Sequence, residues 1–103
     1  MSTAFSYKIT NENEQFTFDF SPIMASSETI SSAECTIEVK EGTDPNPNAI
    51  KVGSPEISGQ QVAQRIHNGL DGVIYRIVMT ATTSLTNVYT IVADLPVLAP
   101  IKV

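Results

Sequence analysis

Asn68-Gly69-Leu70-Asp71-Gly72-Val73-Ile74-Tyr75-Arg76-Ile77-Val78-Met79-Thr80-Ala81-Thr82-Thr83 is the stretch whose reading decides the fold of this 103-residue chain. Asn-Gly and Asp-Gly tolerate positive φ well, so the chain turns here, and the Val, Ile, Tyr and Thr that follow suit a pleated, half-buried surface. The stretch therefore reads as a turn followed by a long strand. Along that strand Tyr75, Ile77, Met79 and Ala81 point one way, and Ile74, Arg76, Val78 and Thr80 the other. If the first set faces the core, Ile74 and Val78 make an apolar stripe. That stripe either buries against a neighbouring subunit or is covered within the domain, and the sequence leaves both open.

Toward the N-terminus, Phe5, Tyr7 and Ile9 alternate with Ser6, Lys8 and Thr10, which predicts a strand with the aromatic side buried. Asn11-Glu12-Asn13-Glu14 predicts a polar turn. Phe16, Phe18 and Phe20 then share one strand face, with Thr17 and Asp19 on the other, and form an aromatic anchor for a core. Ser21-Pro22 ends that strand because proline has no N–H for the ladder, and residues 23–28 are expected to cross between sheets. Ala33, Cys35, Ile37 and Val39 alternate with Glu34, Thr36, Glu38 and Lys40, the cleanest period of two in the chain.

Asp44-Pro45-Asn46-Pro47-Asn48 reads as an exposed loop, since each proline restricts the residue before it and removes a donor. Ile50-Lys51-Val52 and Glu56-Ile57-Ser58 flank Gly53-Ser54-Pro55 and read as edge strands or a hairpin. Gln60 to His67 suits a short helix or a strand. The alternation of Val62, Gln64 and Ile66 straight into a glycine turn favours the strand. Beyond the opening stretch, Ser84 to Asn87 turns the chain, and Val88 to Leu95 is a last strand ended by Pro96, with an extended tail near Pro100.

Seven or so short strands, regular turn signals and no convincing helix predict a single all-β domain over residues 1–103, an antiparallel β-sandwich. Leu70, Asp71-Gly72 and Tyr75 at the strand entrance have the spacing of the tyrosine corner of immunoglobulin-like sandwiches, in which a phenol oxygen bonds backbone just upstream. Tyr75 is accordingly expected to be structural.

Apolar residues are 42% of the chain and charged ones 17%, an ordinary globular balance that excludes wholesale disorder. The net charge of −5 is uneven, with nine acids and three bases in residues 1–56 against two acids and three bases in residues 57–103. Such polarity favours head-to-tail association only weakly, and solvated faces explain it as well. It argues against binding nucleic acid, which needs clustered Lys and Arg. One cysteine, Cys35, permits no intrachain disulfide. The opening residues lack a basic start followed by an apolar run, and no apolar segment approaches the roughly 20 residues that span a bilayer. A soluble chain made in a cytoplasm, without a signal peptide or membrane partner, is expected.

No constellation for chemistry emerges. His67 is the sole histidine and sits beside Asn68-Gly69 with no nucleophile signature near it, so a turn histidine is the favoured reading. Cys35 falls on the inward side of its strand and reads as a small buried hydrophobe. One His and one Cys make no structural zinc site. Asp44, Asn46 and Asn48 superficially follow a calcium loop, but Pro45, Pro47 and the missing closing Gly and Glu break that pattern and favour a solvated loop. Glu12 with Glu14, and Glu34 with Glu38, are paired carboxylates with no cleft in view to perturb them. No catalytic, cofactor-binding or metal-ligating residue is assigned, and the chain reads as a non-enzyme.

The order Phe16-Thr17-Phe18-Asp19-Phe20-Ser21, Glu28-Thr29-Ile30-Ser31-Ser32, Gly53, Gln60 to Ile66, Asn68 to Tyr75 and Ala81-Thr82-Thr83-Ser84 resembles the fibre-tail adaptor-like proteins, small virion proteins of tailed bacteriophages. The resemblance covers residues 16–95. It departs at Phe20, where the family has Trp, and at Leu85, where it has Gly. The resemblance implies an immunoglobulin-like sandwich acting as a connector in the head-tail or tail-fibre region, with portal, tail or fibre proteins as partners, self-association and no catalytic residues. A rival class, an extracellular adhesion or carbohydrate-binding sandwich, requires a secretion signal that the opening residues do not supply.

Overall fold

The alternating segments lay the chain out as two facing sheets in a computed structural model that describes residues 2–4 and 7–100. The strands are β1 (Ser2–Ala4), β2 (Lys8–Ile9), β3 (Asn13–Asp19), β4 (Ile30–Glu41), β5 (Lys51–Ser58), β6 (Gln61–His67), β7 (Ile74–Thr83) and β8 (Val88–Leu98). Short 3-10 turns occupy Ser21–Ile23 and Pro47–Ile50. The five-stranded sheet runs β1-β8-β7-β4, with β2 also on β8, and the three-stranded sheet runs β3-β6-β5. The expected all-β sandwich is the observed fold, and residues 23–28 do cross from one sheet to the other. No helix of the described residues is long and apolar enough to cross a membrane.

The quoted stretch organises the larger sheet. β7 lies between β4 and β8, antiparallel to both, and Tyr75, Ile77, Met79 and Ala81 are fully buried. Facing them from the smaller sheet are Phe16, Phe18, Val62 and Ile66, in one cluster that also includes Phe20, Cys35 and Ile37. Burying each such Ile, Phe or Met side chain contributes about 1.5–3 kcal/mol, so this double row dominates the folding free energy. The other face of β7 settles the question left open by the sequence in an intermediate way. Ile74, Arg76 and Val78 are half-buried between their cross-strand neighbours Pro96, Asp94 and Val92. The described elements form two layers, so this face is outermost.

Four expectations are corrected. The N-terminal arm has the opposite parity: Lys8 is buried and Tyr7 is 54% exposed, while Phe5 lies outside the described residues. A one-residue slip exchanges the two faces of a strand. The slip is stabilised by the Lys8 Nζ, which donates to the carbonyls of Ile9 and Asn68 at 2.7 Å each and of Thr10 at 3.4 Å. The arm also pairs parallel, not antiparallel, with β8. The last strand does not stop at Pro96. Val97 N–H donates to Val73 at 3.0 Å, so by alternation the proline nitrogen faces the arm, where β1 pairing ends at Asp94 and β2 pairing begins at Val97. Finally, β5 is one strand in place of two pieces. Its register shifts between Val52 and Glu56, so Gly53-Ser54-Pro55 is absorbed as an irregularity. The strand reading of Gln61 to His67 and its inward Val62, Gln64 and Ile66 hold.

Candidate functional site: the two poles of the sandwich

The turns gather at two poles, at opposite ends of β7. At the first, where β7 begins, the tyrosine corner forms as expected and has a partner that the sequence kept apart. The Leu70 N–H donates to the Tyr75 phenol oxygen at 2.9 Å, and the phenol donates to Asp44 Oδ2 at 2.7 Å. Asp44 Oδ1 accepts the Asn46 N–H at 2.9 Å, so one carboxylate fixes both its own proline loop and the corner. Burial, reinforced by the Asp44 hydrogen bond, pushes the Tyr75 hydroxyl up to about 12, and the phenol stays a neutral donor. Asp44 is thus a structural acceptor within a loop that is otherwise exposed, as expected. Asn48 is engaged too: its Oδ1 accepts the Ile37 N–H at 2.9 Å.

Gly69 is required at this pole. Its φ is +102°, and a Cβ there would lie 3.1 Å from both γ-carbons of Val97. Beside it, Ala49, Ile50, Gly69 and Leu70 border a recess of about 240 Å³ whose rim includes Asp44 and Asn68. Lys8 ties the arm to this pole through Asn68. Burial pulls the Lys8 pKa below the ordinary lysine value, against the opposing pull of Glu14 and Glu12.

At the second pole a buried carboxylate organises the turns. Glu28 Oε1 accepts the Ala25 N–H at 3.0 Å, and Oε2 accepts the Thr83 hydroxyl and, at 3.0 Å, the Asn87 amide. Thr29 and Ser84 exchange bonds, Ser84 N–H to Thr29 O at 2.8 Å and Thr29 N–H to Ser84 Oγ at 3.1 Å. Gln60 Nε2 donates to the Ala25 and Glu28 carbonyls at 2.8 Å each. The Glu28-Thr29-Ile30-Ser31-Ser32 and Ala81-Thr82-Thr83-Ser84 segments, far apart in sequence, are therefore one hydrogen-bonded knot. The knot holds Thr86, a β-branched residue, at φ +62°, a conformation that costs about 1–3 kcal/mol unless its surroundings enforce it.

No cation lies among the residues that bind Glu28. Hydrogen bonds from Thr83, and then from Asn87 and Ala25, hold its pKa below the ordinary 4.5 in spite of burial. The unfolded chain therefore takes up a proton first as the pH falls. The contribution is complete above 4.5 and is lost as the pH drops through the folded value. Asp94, lowered by Lys40 and Arg76, and Asp19, lowered by the Ser21 backbone, act in the same sense. Glu28→Gln is expected to flatten the acid side of a stability profile measured by denaturant unfolding from pH 7 to 3. An acid limb as steep as that of the unmodified chain would assign the sensitivity to Asp94 and Asp19 instead.

The residues weighed for chemistry are not brought together. His67 lies at the end of β6 with its Nε2 3.3 Å from the Ala49 carbonyl oxygen. Cys35 is buried on the far sheet, and burial pushes its thiol up to about 11, where it is a poor nucleophile. Glu34 and Glu38 are exposed on the outer face of β4. Among the described residues no group of three or more His, Cys, Asp or Glu is placed to hold a metal. Gln64 is buried, its Nε2 donating to Val52, Gly53 and Arg65 carbonyls at the β5 irregularity, while its Oε1 has no protein partner.

Two sheet edges are obstructed. On β4 the Ile37 N–H is taken by Asn48 and the Cys35 carbonyl by Lys51 Nζ at 2.7 Å; on β5 the register shift and Pro55 interrupt the ladder. Strand addition at these edges is disfavoured.

Residues 8–95 match the family model of podophage GP4 fiber-tail adaptor protein gp77. The chain belongs to this fiber-tail adaptor family. No curated protein matches it. The span shared with the adaptor family opens on the buried Lys8 and takes in the Tyr75 corner, the Asp44 loop and the Glu28 knot, so both poles belong to the matched region. The buried Lys8 and Glu28 were not legible from residue patterns. The only sequence signal of the Glu28 knot was the pairing of acid-Thr-Ile-Ser-Ser with Thr-Thr-Ser in the family resemblance.

Proposed function

We propose that this adaptor-family chain is a non-enzymatic structural protein of the phage particle that joins tail and fibre components through protein-protein contacts at its poles. The observation that carries this reading is the family match over residues 8–95. The geometry agrees with it. The side chains weighed for chemistry are spent on structure, with Asp44 bonded to Tyr75, Asn48 bonded to the edge of β4 at Ile37 and Cys35 buried. The turns at both poles are fixed by side-chain hydrogen bonds, which lowers the ordering cost of docking.

In this reading the chain acts as one immunoglobulin-like domain over residues 1–103. The pairing of β3-β6-β5 against β4-β7-β8, with the tyrosine corner at the start of β7, supports that type. The protein is made in the host cytoplasm and ends in the virion, works without cofactor or metal, and binds neither nucleic acid nor membrane, in keeping with its charge of −5. Its partners are other tail or fibre proteins, with the portal a further candidate, and it self-associates. Mixing the purified chain with the tail and fibre proteins of its phage tests this by sedimentation. A ternary complex is expected, with the tail and fibre proteins sedimenting apart when the chain is left out, and failure to bind either partner would overturn the assignment.

A further inference from the structure

We propose that Asn68-Gly69 is a self-modification site, at which the Gly69 nitrogen displaces ammonia from the Asn68 side chain and water opens the resulting imide to an isoaspartate whose carboxylate faces Lys8. The inference goes beyond the adaptor reading, because it concerns the covalent chemistry of one turn and holds whichever tail or fibre proteins are bound.

Asparagine is a chemically labile residue, and ring closure needs its amide free to turn and the next backbone nitrogen neither shielded nor committed to a hydrogen bond. Asn48 and Asn87 hold Ile37 and Glu28 with their side chains, and Asn13 accepts from Arg65. Asn46 precedes a proline, and the nitrogen after Asn11 donates to the Ile9 carbonyl at 3.0 Å. Asn68 differs from all of these. It is exposed, at φ +55°, and among the described residues neither its amide nor the Gly69 N–H has a hydrogen-bond partner. Gly69 brings no Cβ to shield its nitrogen, and none fits, since a Cβ would lie 3.1 Å from Val97. The neighbouring Asp71-Gly72 could form the same imide with loss of water, but it is locked. Asp71 Oδ1 accepts the Ala99 N–H and the Gly72 N–H donates to the Val97 carbonyl, at 2.9 Å each.

The atoms balance with water alone. The Gly69 nitrogen bonds to Asn68 Cγ and gives up its proton as the bond from Cγ to the amide nitrogen breaks, so ammonia leaves and a cyclic imide remains. Water then adds to one of its two carbonyls. Attack at the side-chain carbonyl returns a normal chain with aspartate. Attack at the main-chain carbonyl breaks its bond to the Gly69 nitrogen and leaves isoaspartate, in which that carbon has become a carboxylate. Lys8 decides between the two. Its Nζ, on a buried side chain, donates to the Asn68 main-chain oxygen at 2.7 Å, so it polarises that carbonyl and stabilises the negative oxygen that water addition creates there. The product also suits its setting. The ammonium otherwise rests on the neutral carbonyls of Ile9 and Thr10, with Glu14 and Glu12 acting on it through space. A carboxylate in place of the Asn68 carbonyl turns a contact between charge and dipole into an ion pair.

The test ages the purified chain in mildly alkaline buffer beside an unstructured peptide of residues 66–76, the segment that trypsin releases between Arg65 and Arg76. Mass spectrometry of that segment should show O replacing NH at Asn68, at a rate within about tenfold of the peptide's, with Asp71 not isomerised. The ratio of isoaspartate to aspartate, read with an isoaspartyl methyltransferase, should be at least twofold above that of the peptide. Lys8→Met keeps an apolar stem, removes the ammonium and should return the ratio to the peptide's. Asn68→Gly keeps the positive φ and should abolish the change. A chain still unconverted when the peptide has reacted completely would overturn the site. A ratio no higher than the peptide's, which needs no variant to measure, would overturn the role of Lys8, as would a ratio that Lys8→Met leaves unchanged.

Discussion

Truncating Phe18 to alanine is expected to remove about 3–5 kcal/mol of stability, a large share of the 5–15 kcal/mol that holds a typical domain together. Phe18 is 2% exposed and sits opposite Val62, which is fully buried, in the row that closes the smaller sheet onto β7. The loss combines the transfer free energy of the ring with the cavity left behind, since the cluster packed around it from both sheets limits collapse. Thr17→Ala, one residue away on the solvent face, is the control and should stay within about 0.5 kcal/mol of the unmodified chain. Equilibrium unfolding in urea measures both. A Phe18→Ala loss no larger than that of the control would mean that the two sheets do not share one close-packed interior.

The second large effect is expected at the tyrosine corner. Tyr75→Phe keeps the ring and removes one oxygen, leaving the Leu70 N–H and Asp44 Oδ2 without their partner, and should cost about 1–3 kcal/mol. The coupling to Asp44 is specific. Asp44→Ala and Tyr75→Phe should each destabilise, and the double variant should lose less than the sum, because the second substitution removes a bond that the first has already broken. Strict additivity in a double-mutant cycle would show that the proline loop and the corner are energetically independent, contrary to the bridge of phenol and carboxylate.

Much of this arrangement was readable in the residues because it depends on local chemistry. The Asn-Gly and Asp-Gly turns, the inward row of Tyr75, Ile77, Met79 and Ala81, and the Phe16, Phe18 and Phe20 face each follow from period-two alternation and turn propensity. Lys8 was misplaced because its burial rests on three carbonyls, one of them from Asn68 across the fold, and no local pattern encodes so distant a set of acceptors. Pro96 misled for a similar reason. A proline interrupts only the ladder that its nitrogen faces, and which neighbour lies on that side is a tertiary fact. Leu85 stood out in the sequence as a departure from the family's Gly, but its exposure on a pinned turn follows from the hydrogen bonds of the β7–β8 turn. The recess is assembled from residues 44–50 and 68–70, which the chain brings together through the Tyr75–Asp44 bond.

The claim on which the functional account rests is that this chain is the physical link between tail and fibre. Electron microscopy of particles assembled without it tests that most directly. The account predicts tails that lack fibres and regain them when the purified chain is added back, with Tyr75→Phe restoring them less well at elevated temperature. Particles that carry a full set of fibres in its absence would contradict the account.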